Sequence, residues 1–252
     1  MRCGTVPAVI SIESKMPTSL VFRPAAYILA GGKSSRFGSD KARVRIHGQP
    51  NLSRLASAMS ESGWSVTAVA QEAGAYEDLG LRTIADFEPH AGPLAGVITA
   101  LEDFRDRGRA NPQATGSSST AQRELASCEW ALIVNCDLIL WRAAWSQALL
   151  RGTAPGAWIT LLSSTDFVPF PGLYSPALLP SARERWRAGT RSMKGLFEVV
   201  ADRWSGVDGQ QAAEADAKTD RGELQLPWSY NTPDELERAL AALESGRNQW
   251  HG

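Results

Sequence analysis

The sequence predicts an α/β fold in three layers, a mainly parallel (mixed) central sheet with helices on both faces. Three observations carry that prediction. Short apolar runs alternate with stripes of helical periodicity, the pattern left by strand–helix–strand crossovers. The clearest runs are apolar throughout, as strands covered on both sides must be. Three of them deliver Gly31-Gly32, Asp86 and Asp137 at their carboxyl ends, where open α/β sheets gather their ligands.

Residues 1–23 show no sustained periodicity and contain Gly4, Pro7 and Pro17, so a poorly ordered leader is expected there. A single domain is expected over 24–250. Ala25–Ala30 reads as a buried strand entering a glycine turn. Ala42–Ile46 alternates like a half-exposed strand and is closed by His47-Gly48-Gln49-Pro50. Leu52, Leu55, Ala56 and Met59 recur at i, i+3, i+4 and i+7, a helical stripe. Ser65–Ala70 and Leu81–Ala85 are further strands. Gly92–Phe104 is a helix with Pro93 in its first turn and Leu94, Val97, Ile98 and Leu101 inward.

Residues 105–127 are polar and Ser/Gly-rich, the composition of an insertion. Trp130–Val134 is the clearest buried strand. Trp141, Ala144, Trp145, Ala148 and Leu149 mark a helix, more in keeping with core packing than with a stacking platform. Trp158–Leu162 and Phe167–Tyr174 read as strands, Pro176–Ala188 and Ser192–Ala201 as helices. A second polar insertion covers roughly 202–225. Thr232-Pro233-Asp234-Glu235 is a capping box with proline at N1, opening a helix with Leu236, Leu240 and Leu243 inward.

Composition narrows the function classes. The chain has 252 residues, 43% hydrophobic and 21% charged, a globular balance with material for a sizeable core. Lys and Arg number 26 against 27 Asp and Glu, so no global field recruits nucleic acid or an anionic membrane. Phosphate binding therefore needs a local site. Three cysteines, Cys3, Cys128 and Cys136, build neither a disulfide scaffold nor a spaced metal site. No apolar stretch approaches the length of a membrane span, and Glu13, Lys15 and Pro17 interrupt any signal-peptide core. A cytoplasmic protein is expected.

The first strand end continues as Gly31-Gly32-Lys33-Ser34-Ser35-Arg36-Phe37-Gly38-Ser39-Asp40-Lys41. Glycines let the backbone approach a ligand, and hydroxyls with two cations suit a polyphosphate. A solvated surface turn would have the same composition. The loop is not a Walker A motif, because Tyr27 stands where the first glycine would be. Asp137 is placed to bind Mg²⁺, which takes few carboxylates plus substrate phosphates, or else to cap the helix starting near Trp141. Asp86 has parallel alternatives, metal or base recognition against a turn-forming role. Cys136 reads as a small buried residue, and His90 as a loop histidine beside the cleft.

Together these segments resemble the molybdenum cofactor guanylyltransferases, a branch of the nucleoside-triphosphate transferases. Leu29-Ala30-Gly31-Gly32-x-Ser34-x-Arg36-x-Gly38-x-Asp40-Lys41 is similar to that group's signature loop. Ile84-Ala85-Asp86 with Ala91-Gly92-Pro93-Leu94-Ala95-Gly96 resembles the segment after its third strand. Cys136-Asp137 resembles its metal-binding pair, and Tyr230-Asn231-Thr232-Pro233-Asp234-Glu235-Leu236 its C-terminal Asn-Thr-Pro element. The resemblance spans about Tyr27 to Leu243 and leaves the two insertions unmatched.

The resemblance implies a Rossmann-like fold of the nucleotide-diphospho-sugar-transferase type over 24–250. It implies that GMP passes from GTP to molybdopterin cofactor, with pyrophosphate released. Leu29, Ala30, Gly31, Gly32 and Ser34 would then line the nucleotide site, and Asp86 would contact the nucleotide. Lys41 and Arg36 would neutralise phosphates, and Asp137 would carry Mg²⁺. The implied partners are GTP, the molybdopterin acceptor and molybdoenzyme assembly proteins, with no nucleic acid and no membrane. The chain departs from the family pattern at Asn135 and Ile139, where prolines are usual, at Phe37, and at Phe167–Gly172, which lacks a His-Pro-Thr-like element. Gln71 is the nearest candidate for an expected Asn. The alternatives are a sibling transferase using CTP or another phosphate acceptor, and a nucleotide-binding relative without catalysis.

Overall fold

In the computed structural model, residues 24–31, 38–110, 130–162, 168–207 and 229–248 are described, without the side chains of 109–110 and 242–248. Strand β1 (Ala25–Leu29) lies at the centre because both its faces are apolar. It pairs in parallel with β4 (Ser65–Ala70) on one side and β6 (Ala131–Asn135) on the other. Strand β5 (Thr83–Ala85) adds to β4 in parallel. Beyond β6, β8 (Gly172–Tyr174) runs antiparallel, followed by β7 (Ile159–Leu162) and the edge strand β9 (Trp204–Val207). The described residues thus form a seven-stranded mixed sheet of order β5-β4-β1-β6-β8-β7-β9. Strands β2 (Arg45–Ile46) and β3 (Gln49–Pro50) make a separate small hairpin.

Side chains alternate across a strand, so each central strand feeds two cores. Ala26 and Ile28 of β1, with Leu132 and Val134 of β6, face helices α1 (Asn51–Glu61) and α3 (Ala143–Arg151). Ala25, Tyr27, Ala131 and Ile133 face the opposite way, toward α2 (Pro93–Ala110), α4 (Leu179–Arg187) and α5 (Met193–Phe197). Leu52, Leu55 and Met59 of α1 and Leu94, Ile98 and Leu101 of α2 are fully buried. Each such side chain contributes about 1.5–3 kcal/mol by leaving water. Trp141 and Trp145 are core residues packed edge to face at 5.8 Å. Tyr27 also ties α2 to the sheet, its hydroxyl donating to Asp103 at 2.8 Å while Arg82 grips the same carboxylate.

Several elements differ from the sequence expectation, among them the strand expected over Phe167–Tyr174, which begins only at Gly172. Residues 41–43 form a 3-10 turn rather than strand, because the Asp40 side chain accepts from the Ala42 amide and caps it. Pro176–Leu178 is likewise a 3-10 turn leading into α4. Helix α2 runs on to Ala110, through the start of the stretch read as an insertion, with Arg107 reaching Asp103 one turn back at 3.9 Å. Strand β9 lies within the second stretch read as insertion. Val207 is its one buried residue, and it packs where a Cβ on Gly152 would stand 2.2 Å away.

The C-terminal helix α6 (Pro233–Asn248) is opened by a capping box: Glu235 accepts from the amides of Asn231 and Thr232, and Thr232 accepts from the Glu235 amide. No helix among the described residues is long and apolar enough to cross a membrane.

Candidate active site

Parallel strands β5, β4, β1 and β6 all end on one edge of the sheet, and a cleft of about 400 Å³ opens there. Leu29 and Gly31 form its floor beyond β1, and Asp86 enters beyond β5. His90, Gly92, Pro93 and Gly96 bring in the loop and first turn of α2, while Cys136, Asp137 and Lys41 close the side beyond β6. Its size suits a nucleotide-scale ligand. Helix α2 approaches β1 closely because Gly96 lacks a Cβ, which would stand 3.0 Å from Leu29 Cδ2.

Beyond β6, Asp137 sits inside the turn rather than at a helix start: α3 begins at Ala143 with Arg142 as its cap, so the capping account of Asp137 falls. Asn51, fully buried at the start of α1, donates to the carbonyls of Cys136 and Leu138 and so fixes the backbone on both sides of Asp137. Asp137 Oδ2 lies 3.7 Å from Lys41 Nζ. Its Oδ1 is buried and has no hydrogen-bond partner among the described residues. Burial raises the Asp137 carboxyl above its ordinary value, and the Lys41 ammonium offsets this only in part. An orphaned, desolvated carboxylate oxygen at the mouth of a cleft suits a cation.

Lys41 is held from the other side by the C-terminal segment, donating to the Tyr230 carbonyl and to Asn231 Oδ1, both at 3.0 Å. The Tyr230 amide in turn donates to the Asp137 carbonyl at 3.2 Å. The Asn-Thr-Pro element therefore stands against both charged groups. Below the loop, the Tyr76 hydroxyl meets the Ala30 carbonyl and the Asp40 carboxylate, and Gln71 donates to the Gly31 carbonyl at 3.3 Å.

Across the cleft, Asp86 Oδ1 accepts from the Thr99 hydroxyl at 2.9 Å, and Thr99 accepts from the Phe87 amide. Asp86 also makes a local turn contact with the Glu88 amide at 3.4 Å, so the turn-forming role is real and coexists with cleft exposure. Burial pushes its carboxyl up, while Thr99 pulls it down. His90 reaches the rim with a backbone φ of 64°, a left-handed value uncommon outside glycine. Burial raises the Cys136 thiol above its ordinary value.

The structure thus brings Leu29, Gly31, Lys41, Asp86 and Asp137 to one cleft. Ala30 lies beneath it, its amide bonded to the Val69 carbonyl. Gly32, Ser34 and Arg36 fall outside the described residues. Sequence reasoning missed Asn51, Thr99 and Tyr76. Asn51 did carry a signal, a polar residue directly before an apolar stripe. No group of three His, Cys, Asp or Glu able to hold a metal occurs among the described residues, so a cation here would rely on Asp137 and ligand oxygens.

A model of the MobA-like NTP transferase domain matches residues 26–206. A probable molybdenum cofactor guanylyltransferase of Chloroflexus aggregans is 29% identical over 239 residues, covering 90% of this chain and 98% of that protein. One from Synechococcus elongatus is 30% identical over 187 residues, covering 70% of this chain and 84% of its own. The crystal structure of molybdopterin-guanine dinucleotide biosynthesis protein A from Archaeoglobus fulgidus superposes with a TM-score of 0.66 at 16% identity, covering 88% of this chain and 99% of that one. At that identity the last likeness shows the fold.

Proposed function

This chain belongs to the family of MobA-like NTP transferase domains and is a nucleotidyltransferase, and on that premise we propose that it joins GMP from GTP to molybdopterin cofactor. The observation that carries this reading is the pairing of Lys41 with Asp137 in the cleft, with Asp137 Oδ1 buried and unpartnered. Curated relatives named molybdenum cofactor guanylyltransferase favour GTP and this acceptor.

A phosphate oxygen of the acceptor attacks the α-phosphorus of GTP in line. The bond from that phosphorus to the oxygen bridging the α- and β-phosphates breaks, and pyrophosphate departs with the electron pair. No covalent enzyme intermediate is needed. The reaction is then limited by positioning and by charge, since two anions must meet. Lys41, fixed by Tyr230 and Asn231, supplies a preset positive charge on the phosphate side. Gly31 and Leu29 let the nucleotide lie against the end of β1, and Asp86, steadied by Thr99, accepts from the nucleotide. Asp137, with the nucleotide's phosphate oxygens, would hold Mg²⁺. That ion, when bound, supplies neutralisation of the developing charge and a template for the triphosphate. Arg36, Ser34 and Gly32 belong to the same phosphate loop by motif.

The test is a pyrophosphate-release screen of GTP, CTP, ATP and UTP against molybdenum cofactor with Mg²⁺ present. Release that requires both GTP and the cofactor supports the reading. Release with CTP instead assigns a sibling transferase, and nucleotide binding without release assigns a non-catalytic relative.

A further inference from the structure

The chain leaves the sheet at Ala30 and returns beside it at Asp40, and one side chain reaches both points. The Tyr76 hydroxyl lies 3.3 Å from the Ala30 carbonyl oxygen and 3.3 and 3.1 Å from the two oxygens of the Asp40 carboxylate. Tyr76 is 5% exposed and packs in the same core cluster as Ala30 and Ala42. Arg43 lies 5.3 Å over its ring and pairs with Asp78. Burial, with the Asp40 carboxylate beside it, raises the phenol, so the hydroxyl keeps its proton and serves as a donor.

The two points are not held alike. Ala30 continues β1, and its amide donates to the Val69 carbonyl at 2.8 Å, which fixes it to the sheet. Asp40 belongs to no strand. It caps the 3-10 turn Lys41–Arg43, accepting from the Ala42 amide at 2.9 Å. So short a turn has little rigidity of its own. A core position that needed only filling would take phenylalanine, because a buried hydroxyl costs free energy unless it is bonded. Here it is bonded to a charged acceptor, the stronger kind of hydrogen bond.

Lys41 follows Asp40 directly, and its head is fixed elsewhere, on the Tyr230 carbonyl and Asn231. Its root rests on two tyrosine hydroxyls, Tyr230 donating to the Lys41 carbonyl and Tyr76 to the Asp40 carboxylate. We propose that Tyr76 is a positioning residue for nucleotidyl transfer, its hydroxyl tying the turn that carries Lys41 to the end of β1. This rests on the nucleotidyl-transfer reading above. The tie sets the separation between the end of β1, where the nucleotide lies, and the ammonium that meets its phosphates. A loop spanning residues 31–39 otherwise loses entropy each time its ends are brought to one ligand, and the tie removes that loss from binding.

The experiment titrates GTP with Mg²⁺ by calorimetry into wild type, Tyr76→Phe, Lys41→Ala and the double variant, each checked for folding. Phenylalanine keeps the ring and its packing and removes only the hydroxyl. Tyr76→Phe should raise the Kd for GTP by about 10-fold, the scale of a hydrogen bond to a charged group. In the Lys41→Ala background it should add less than about twofold, because the tie acts through Lys41. An unchanged Kd overturns the proposal. So do losses that multiply in the double variant, since a side chain that merely supports the fold weakens binding with or without Lys41. A second measurement needs no ligand. Hydrogen exchange at the Ala42 amide should quicken by about 10-fold in Tyr76→Phe while the amides of β4 keep their rates. Equal rates at Ala42 in the two proteins overturn the tie. A wild type that binds no nucleotide overturns the nucleotidyl-transfer reading alone, and exchange at Ala42 then decides the tie.

Discussion

Lys41 and Tyr230 each hold the other's backbone: Lys41 Nζ donates to the Tyr230 carbonyl at 3.0 Å, and the Tyr230 hydroxyl donates to the Lys41 carbonyl at 3.1 Å. Residues 189 positions apart are thereby locked as one unit, with Asn231 taking a second bond from the same ammonium. A flexible lysine would lose side-chain entropy of up to about 2 kcal/mol on gripping a phosphate. Here that ordering is done in the fold, by the segment that leads into α6.

Lys41→Ala should therefore lower nucleotide affinity or turnover by about 10-fold or more, the scale of one charge-assisted phosphate contact. Titration of GTP with Mg²⁺, followed by initial rates, checks it. Unchanged values would place the phosphates elsewhere.

Asn51→Ala should act through the fold. Its amide serves the carbonyls of Cys136 and Leu138, and both lose a donor. Leaving buried acceptors unpaired costs about 1–3 kcal/mol, which corresponds to roughly 3–10 °C in Tm for a domain of this size. Thermal unfolding measures that loss. Turnover of the folded fraction should also fall, because Asp137 sits between the two carbonyls.

Thr99→Val tests Asp86. The hydroxyl that donates to Asp86 holds its carboxyl down against the upward push of burial, so removing it raises that carboxyl further. With Asp86 acting as an ionised acceptor, the acidic limb of kcat/KM for GTP should move to higher pH, with values converging on wild type at the alkaline end. An unmoved acidic limb would remove Asp86 from nucleotide recognition.

Central strands and their ends were legible because burial on both faces writes itself as unbroken apolar sequence: β1 and β6 stand within a residue of expectation. That Asp86 and Asp137 would share a cleft was legible because both follow strand ends, and Lys41 because it closes the loop that leaves β1. Strand β9 was not, since an edge strand with only Val207 buried has the composition of a loop and gains its identity from β7, far away in sequence. Asn51 and Thr99 were hidden for a related reason. Each serves a partner on another element, and spacing within one helix cannot reveal what lies across from it.

Asp137→Asn separates a catalytic carboxylate from a structural one. The substitution keeps the shape of the side chain and removes its charge. Burial raises the Asp137 carboxyl, so the folded chain binds a proton more readily than the unfolded chain and stability falls as pH climbs through that range. Removing the charge therefore removes a cost at neutral pH, and Lys41 retains Tyr230 and Asn231 as acceptors. Unfolding at pH 7 should show a Tm equal to or above wild type, with any advantage shrinking as pH drops below the carboxylate range. Turnover should move the other way, with Mg²⁺-dependent release of pyrophosphate falling about 100-fold or more, the scale of a lost charge-stabilising group. Mg²⁺ should also cease to enhance GTP binding. A variant that keeps wild-type rates and ordinary Mg²⁺ dependence would show that the cation rests on other oxygens, and a sharply lowered Tm would assign Asp137 to holding Lys41 in place.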